Sequence, residues 1–220
     1  PVPFIKRKKK MGLPSFIFLL PLMTYSLASA APAYAQREPV VDVNGTNLQV
    51  SLPYWIVPAR RGPGGGITLG ASRSNKSCSS AVVQDADEKS VGISVIFVPL
   101  NTTQGVRVST DVNVEFAFAF YSMLPSAMCW TTPVWQVSPL DKETRRYFVE
   151  TGGVEGQPGN MRSWFKIERA GKYYFFRFCP SLCKTCKTPL CKNIGIYEDN
   201  GVRRLTLTDD YFRVKFTRFP

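Results

Sequence analysis

The chain runs to 220 residues, with 28 lysines and arginines against 16 aspartates and glutamates, a formal net charge of +12, and no histidine. That inventory removes the usual general base, the Ser-His and Cys-His nucleophile pairs and most catalytic metal centres. The chain is therefore expected to be no enzyme, with no catalytic residue, cofactor or metal.

The chain opens with Lys6, Arg7, Lys8, Lys9 and Lys10, followed by an apolar run from Phe16 to Leu27 that ends in small residues. This is the order of a secretory signal peptide. Ala28-Ser29-Ala30 and Ala33-Tyr34-Ala35 both have the A-x-A form of a cleavage site. The cleaner second one sets the expected boundary: residues 1–35 are upstream sequence and leader, with Met11 as an alternative start, and residues 36–220 are one domain. The apolar run falls short of the ~20 continuous residues a membrane span needs and is interrupted by Pro21 and Thr24, so no membrane attachment is expected once it is removed. The leader holds five basic side chains and no acidic one, which leaves 23 against 16 in the remainder. Those charges are scattered through Arg145-Arg146, Arg203-Arg204, Arg213, Lys215 and Arg218 instead of forming an aromatic-lined stripe, which argues against a nucleic-acid partner.

Beyond Gln36 helical periodicity is scarce, and short β-branched or aromatic runs alternate with Gly, Pro, Asn and Asp. Strands are expected at Tyr54–Val57, Ile67–Leu69, Ala81–Gln84, Val95–Val98, Val106–Ser109, Val112–Phe118 and Val134–Val137. Further strands are expected at Tyr147–Glu150, Trp164–Glu168, Tyr173–Phe178, Ile194–Tyr197, Arg204–Leu207 and Phe212–Phe216. Tyr174, Phe176 and Phe178 fall on one face of their strand, as do Phe212, Val214 and Phe216, so one face is buried and the other wet. Asn44-Gly45, Gly64-Gly65-Gly66, Gly152-Gly153, Pro158-Gly159 and Asn200-Gly201 supply the positive φ angles of tight turns. About a dozen strands of this kind form a sandwich, a closed barrel or a β-trefoil, and periodicity does not choose among them.

The cysteines are Cys78, Cys129, Cys179, Cys183, Cys186 and Cys191. Six in a secreted chain permit fifteen connectivities. Cys183-x-x-Cys186 is a redox signature only beside a βαβ unit, which this chain lacks, and zinc thiolates compete poorly with disulfide formation in the secretory route. Structural disulfides are the expected use. Three N-x-S/T sequons, at Asn44, Asn75 and Asn101, are candidate glycosylation sites. Asn75, in a polar loop, is expected to be the best acceptor, and Asn44 is expected to be held in a tight turn.

Val40-Val41-Asp42-Val43-Asn44-Gly45, Leu48 and Tyr54-Trp55-Ile56, then GVRVSTDVNVEF, TGGVEGQPG, SWFKIE, FRFCPSLC and NGVRRLTL, resemble the plant Kunitz-type (soybean trypsin inhibitor) family, in its miraculin-like branch. The resemblance spans residues 39–217, with Thr46 a departure inside the N-terminal signature. It implies a disulfide-stapled β-trefoil of six hairpins, three closing a barrel and three capping it. It also implies the pairs Cys78–Cys129, Cys179–Cys191 and Cys183–Cys186. With all six cysteines paired and no counterpart of the branch's interchain cysteine, a monomer is expected.

The resemblance further implies a protease inhibitor acting on a serine or papain-like enzyme through a loop after the fourth strand. The matching residues are Pro99, Leu100, Asn101, Thr102 and Thr103. Alignment on Pro99 puts Asn101 at the primary specificity position, and a slip of one residue puts Leu100 there. Neither satisfies a trypsin pocket, whose carboxylate takes Lys or Arg. The asparagine that braces this loop in inhibitors is replaced by Val50, so weak or non-trypsin inhibition is expected. The alternative is a non-inhibitory seed storage or defence protein, or a trefoil that binds glycans through aromatic residues, with Tyr54, Trp55, Trp130, Trp135 and Trp164 as candidates by type. Large aromatics more often form the core. The cysteine cluster is expected to be a clasp that does not touch the loop, and the protein to be secreted or vacuolar.

Overall fold

The computed structural model describes residues 3, 37–62, 64–117, 131–182 and 190–220. The rest of the expected leader, Cys129, Trp130, Cys183 and Cys186 lie outside the described residues. Contacts divide the chain into two units, Pro1–Ala35 and Gln36–Pro220.

The second unit contains the twelve strands found among the described residues: β1 (Tyr54–Pro58), β2 (Ile67–Gly70), β3 (Ala81–Gln84), β4 (Val95–Pro99), β5 (Asp111–Phe116), β6 (Trp135–Val137), β7 (Val149–Thr151), β8 (Phe165–Ala170), β9 (Tyr173–Phe178), β10 (Lys192–Asp199), β11 (Val202–Thr208) and β12 (Val214–Arg218). Their pairing closes a ring, β12-β1-β4-β5-β8-β9, because β9 returns to β12 through Tyr174 and Val214. The hairpins β2–β3, β6–β7 and β10–β11 stand outside the ring and pair with one another through β3, which meets both β7 and β11. Six barrel strands and three cap hairpins make the expected β-trefoil, with β1–β4, β5–β8 and β9–β12 as its three repeats.

Alternation drives the barrel. In β9 the pattern buries Tyr174, Phe176 and Phe178, and Ile56, Phe97, Val114, Ile167 and Phe216 join them from the neighbouring walls. Each such side chain contributes roughly 1.5–3 kcal/mol on burial. Trp135 is supplied by cap strand β6 and reaches Phe116, Phe165 and Phe176 at ring separations of 5.7, 6.3 and 5.8 Å. It plugs the barrel from the cap side. Buried Asn113 of β5 satisfies its amide at both ends, donating to the Ser163 carbonyl and accepting from the Gly156 N–H, each at 2.7 Å.

The turn at Asn200-Gly201 has φ of 51° and 78° and joins β10 to β11, as a two-residue hairpin requires. The Gly64–Gly66 run works differently from the expected turn. Only Gly64 takes a positive φ, and a Cβ on Gly65 or Gly66 would collide with the carbonyl oxygen of Asp87 or Val91 respectively. Glycine is needed there for backbone to lie against backbone. Val106–Ser109 also departs from expectation. It forms no strand of the barrel, because Ser109 turns to φ 57° and gives its N–H to Ile167. Its remaining pairing is an isolated bridge from Arg107 to Pro39.

One charge cluster ties the three cap hairpins together. Arg73, in the β2–β3 connection, reaches Asp199 at the β10–β11 turn at 2.5 Å and Asp141 in the β6–β7 connection at 3.2 Å. Arg204 adds a second bond to Asp199, at 2.8 Å. Asp141 is held below the ordinary carboxylate range first by Thr144 and then by Arg73, and Asp199 is held below it by Arg73 and Arg204 against the opposing cost of burial.

Candidate functional site

The β4–β5 connection leaves the barrel wall at buried Pro99 and returns at Asp111. Leu100 gives its N–H to the Asp111 carbonyl at 2.9 Å, which fixes the base of the loop, while its side chain is 43% exposed. The strand ends at Pro99 and the chain bends at Leu100 and Asn101, the latter with φ −112° and ψ 95°, before a single 3-10 turn over Thr102–Gln104. Asn101 caps this turn. Its Oδ1 accepts from the Thr103 N–H at 3.2 Å and the Thr103 hydroxyl at 2.7 Å. The asparagine side chain is thus engaged within its own turn, and Leu100 is the projecting apolar group. The five expected loop residues lie together, and those on either side of Asn101 differ in conformation.

The far side of the loop is held by a strap that residue types did not reveal. Arg107 donates through Nε to the Gln104 carbonyl at 2.7 Å and through Nη1 to the Arg37 carbonyl at 2.6 Å. Arg37 in turn donates to the Ser109 carbonyl at 2.7 Å. Backbone bonds from Val40 N to Val106 O and from Val108 N to Glu38 O complete the strap. Two arginines joined across some 70 positions carry no local signal in the sequence. Around Val50, Gln49 N donates to Tyr54 Oη and Leu52 N to Gln49 O.

The cysteine clasp does touch the loop's base, contrary to expectation. Cys179 and Cys191 are joined with Cα atoms 4.3 Å apart. In a chain-entropy account a loop of this size is worth about 3 kcal/mol. Ser181, two residues on, donates its N–H to Asp111 Oδ1 at 3.2 Å, and Lys166 Nζ reaches Ser181 Oγ at 2.5 Å and Asp111 Oδ1 at 4.0 Å. Pro99, Leu100, Asn101, Gly105, Asp111 and Ser181 thus share one open depression of about 230 Å³. Cys78 is disulfide-bonded as well.

The other candidates are dispersed. Tyr54, Trp135 and Trp164 are at most 1% exposed, and half-buried Trp55 meets Phe219 edge-on at 5.1 Å. These four therefore serve the core and its margin and line no common aromatic pocket. Asn44 and Asn75 are exposed in separate turns. Among the described residues no three His, Cys, Asp or Glu side chains are grouped to hold a metal ion, and no helix is long and apolar enough to cross a membrane.

The model of a family described as trypsin and protease inhibitors matches residues 40–218. Kunitz trypsin inhibitor 5 of Arabidopsis thaliana is 37% identical over 205 residues, covering 92% of this chain and 96% of that protein. Miraculin of Synsepalum dulcificum is 37% identical over 217 residues, covering 93% and 94% respectively. Among solved structures, the Kunitz-type cysteine protease inhibitor PCPI-3 from potato superposes with a TM-score of 0.68 at 31% identity, covering 84% of this chain and 98% of that one. The chain belongs to the plant Kunitz-type family of protease inhibitors, in its miraculin-like branch.

Proposed function

We propose that this protein inhibits an endopeptidase with an apolar specificity pocket, and that Leu100 is the side chain entering it. The observation that carries this reading is the exposure of Leu100 at the bend just past the end of β4, beside an asparagine folded back onto its own turn. The segment Val98–Gly105 contains no basic residue to meet the carboxylate of a trypsin pocket. Rigidity supports binding, because a loop already held by Asp111, Arg107 and its cap loses less freedom on association. The compartment that goes with this function is extracellular or vacuolar, reached through the secretory route. The Cys179–Cys191 bond supports that assignment, since disulfides persist where conditions are oxidising.

The 3-10 turn favours a second reading, a storage or defence protein without inhibitory action. Protease clefts take extended backbone by strand-like pairing, and the turn withdraws Thr102–Gln104 from that conformation. Titration of subtilisin, chymotrypsin, trypsin and a papain-like enzyme separates the two readings. Inhibition of subtilisin or chymotrypsin with trypsin spared is expected, and Leu100→Ala is expected to weaken it at least tenfold, as loss of a buried anchor does. No inhibition of any of the four supports the storage reading. Inhibition unchanged in Leu100→Ala removes Leu100 from the specificity position.

A further inference from the structure

We propose that Asn101 carries an N-linked glycan and that this glycan gates the loop, an inference about gating that rests on the inhibitory reading above. The three sequons differ in how they hold the acceptor amide and the sequon hydroxyl. At Asn101 the two groups are preassembled. Thr103 Oγ1 donates to Asn101 Oδ1 at 2.7 Å and the Thr103 N–H donates to the same oxygen, and no hydrogen bond from Asn101 Nδ2 is found among the described residues. Residues 101–104 are all exposed.

Neither other sequon shares this arrangement. Asn75 donates its Nδ2 to Cys78 Sγ at 3.1 Å, and its Oδ1 accepts from the Ser77 backbone instead of the Ser77 hydroxyl. The acceptor nitrogen there is committed to a bonded cystine. At Asn44 the turn is organised by Asp42, whose Oδ1 accepts from the N–H groups of both Asn44 and Thr46, and no bond joins Asn44 to the Thr46 hydroxyl. The geometry thus moves the preferred acceptor from Asn75 to Asn101.

The donor is a lipid-pyrophosphate-linked oligosaccharide of the secretory route. Nδ2 forms a C–N bond to the anomeric carbon of the first sugar while the anomeric C–O bond breaks. The lipid pyrophosphate leaves with the electron pair, and the amide nitrogen gives up one proton. Asn101 directly follows Leu100, so the attached sugar stands over the side chain that an endopeptidase has to reach. The occupied form is then silent and the vacant form inhibitory.

The test uses the full chain expressed through a plant secretory route, with peptide mapping by mass spectrometry, beside the unglycosylated chain refolded with its disulfides. Glycan on the Asn101 peptide in most molecules is expected, together with subtilisin inhibition at least tenfold weaker than that of the unglycosylated chain. Thr103→Val is expected to leave the Asn101 peptide unmodified. A wild-type Asn101 peptide without glycan overturns the proposal and leaves the inhibitory reading standing if either form inhibits. Occupied Asn101 with equal inhibition by both forms overturns the gating. Occupied Asn101 with no inhibition by either form supports the modification and removes the inhibitory reading on which the gating rests.

Discussion

Replacing Trp135 with alanine is expected to cost about 3–5 kcal/mol of folding free energy, a large share of the ~5–15 kcal/mol that holds a typical domain together. Trp135 is 1% exposed and meets aromatic side chains from β5, β8 and β9. Truncation would therefore empty a space lined by three rings that three separate barrel strands hold in place, and little of it can collapse. Its indole Nε1 has no hydrogen-bond partner among the described residues. Trp135→Phe forfeits no hydrogen bond and only part of the volume, so about 1–2 kcal/mol is expected. Equilibrium urea unfolding of both variants checks the pair. A loss below about 1 kcal/mol for Trp135→Ala would show that the cap does not plug the barrel.

Arg73→Met is expected to destabilise the protein by about 3 kcal/mol at neutral pH, the usual consequence of removing one partner from a buried ion pair. The Arg73 side chain is 15% exposed and Asp199 10%, so water replaces the lost partner poorly. Glu143 adds little, since it is 84% exposed. Methionine keeps an apolar stem and removes the guanidinium, which also lies 5.7 Å from the Phe148 ring, so the charge is what the variant tests. The pH dependence has a definite sign. Asp141 and Asp199 titrate lower in the folded protein than in the unfolded chain, so they contribute stability above the unfolded carboxylate range near 4. That contribution fades as pH falls through their lowered folded values. Arg73→Met is therefore expected to lie well below wild type at pH 7 and closer to it at about pH 3, below the unfolded carboxylate value. Parallel unfolding curves separated by the same amount at both pH values would exclude the cluster as the source.

The parts of this fold that could be read from the sequence are those with local causes. Short β-branched and aromatic runs bounded by turn residues placed β3 and β9 at their observed bounds, Ala81–Gln84 and Tyr173–Phe178, and Asn200-Gly201 marked the β10–β11 turn. Val106–Ser109 has the composition of a strand, but the left-handed φ at Ser109 ends its extension, and a serine gives no warning of that. The Gly64–Gly66 run reads as a turn because glycine serves both positive φ and close approach, and only the partner backbone at Asp85–Gly92 distinguishes them. In the candidate site, Pro99–Thr103 was legible through resemblance to a family. The strap of Arg37 and Arg107, and the bond from Ser181 to Asp111, were not. Both join residues about 70 positions apart, through backbone groups whose identity the side-chain sequence does not encode. The same holds for Asn101. Alignment on Pro99 placed it at the specificity position, while its side chain folds back to cap the turn that follows, and this is why Leu100 is proposed for that position.

The most direct measurement is identification of the bond that a target enzyme cuts when the inhibitor is held with it for long periods. An inhibitor bound like a substrate is clipped slowly at its reactive bond. The unglycosylated chain, incubated with catalytic amounts of subtilisin and analysed by N-terminal sequencing and mass spectrometry, is expected to yield one new terminus at Asn101, from cleavage after Leu100. A new terminus at Thr102 would restore Asn101 as the specificity residue, and inhibition with the Val98–Gly105 segment left uncut and another loop clipped would contradict the assignment of this loop as the inhibitory site.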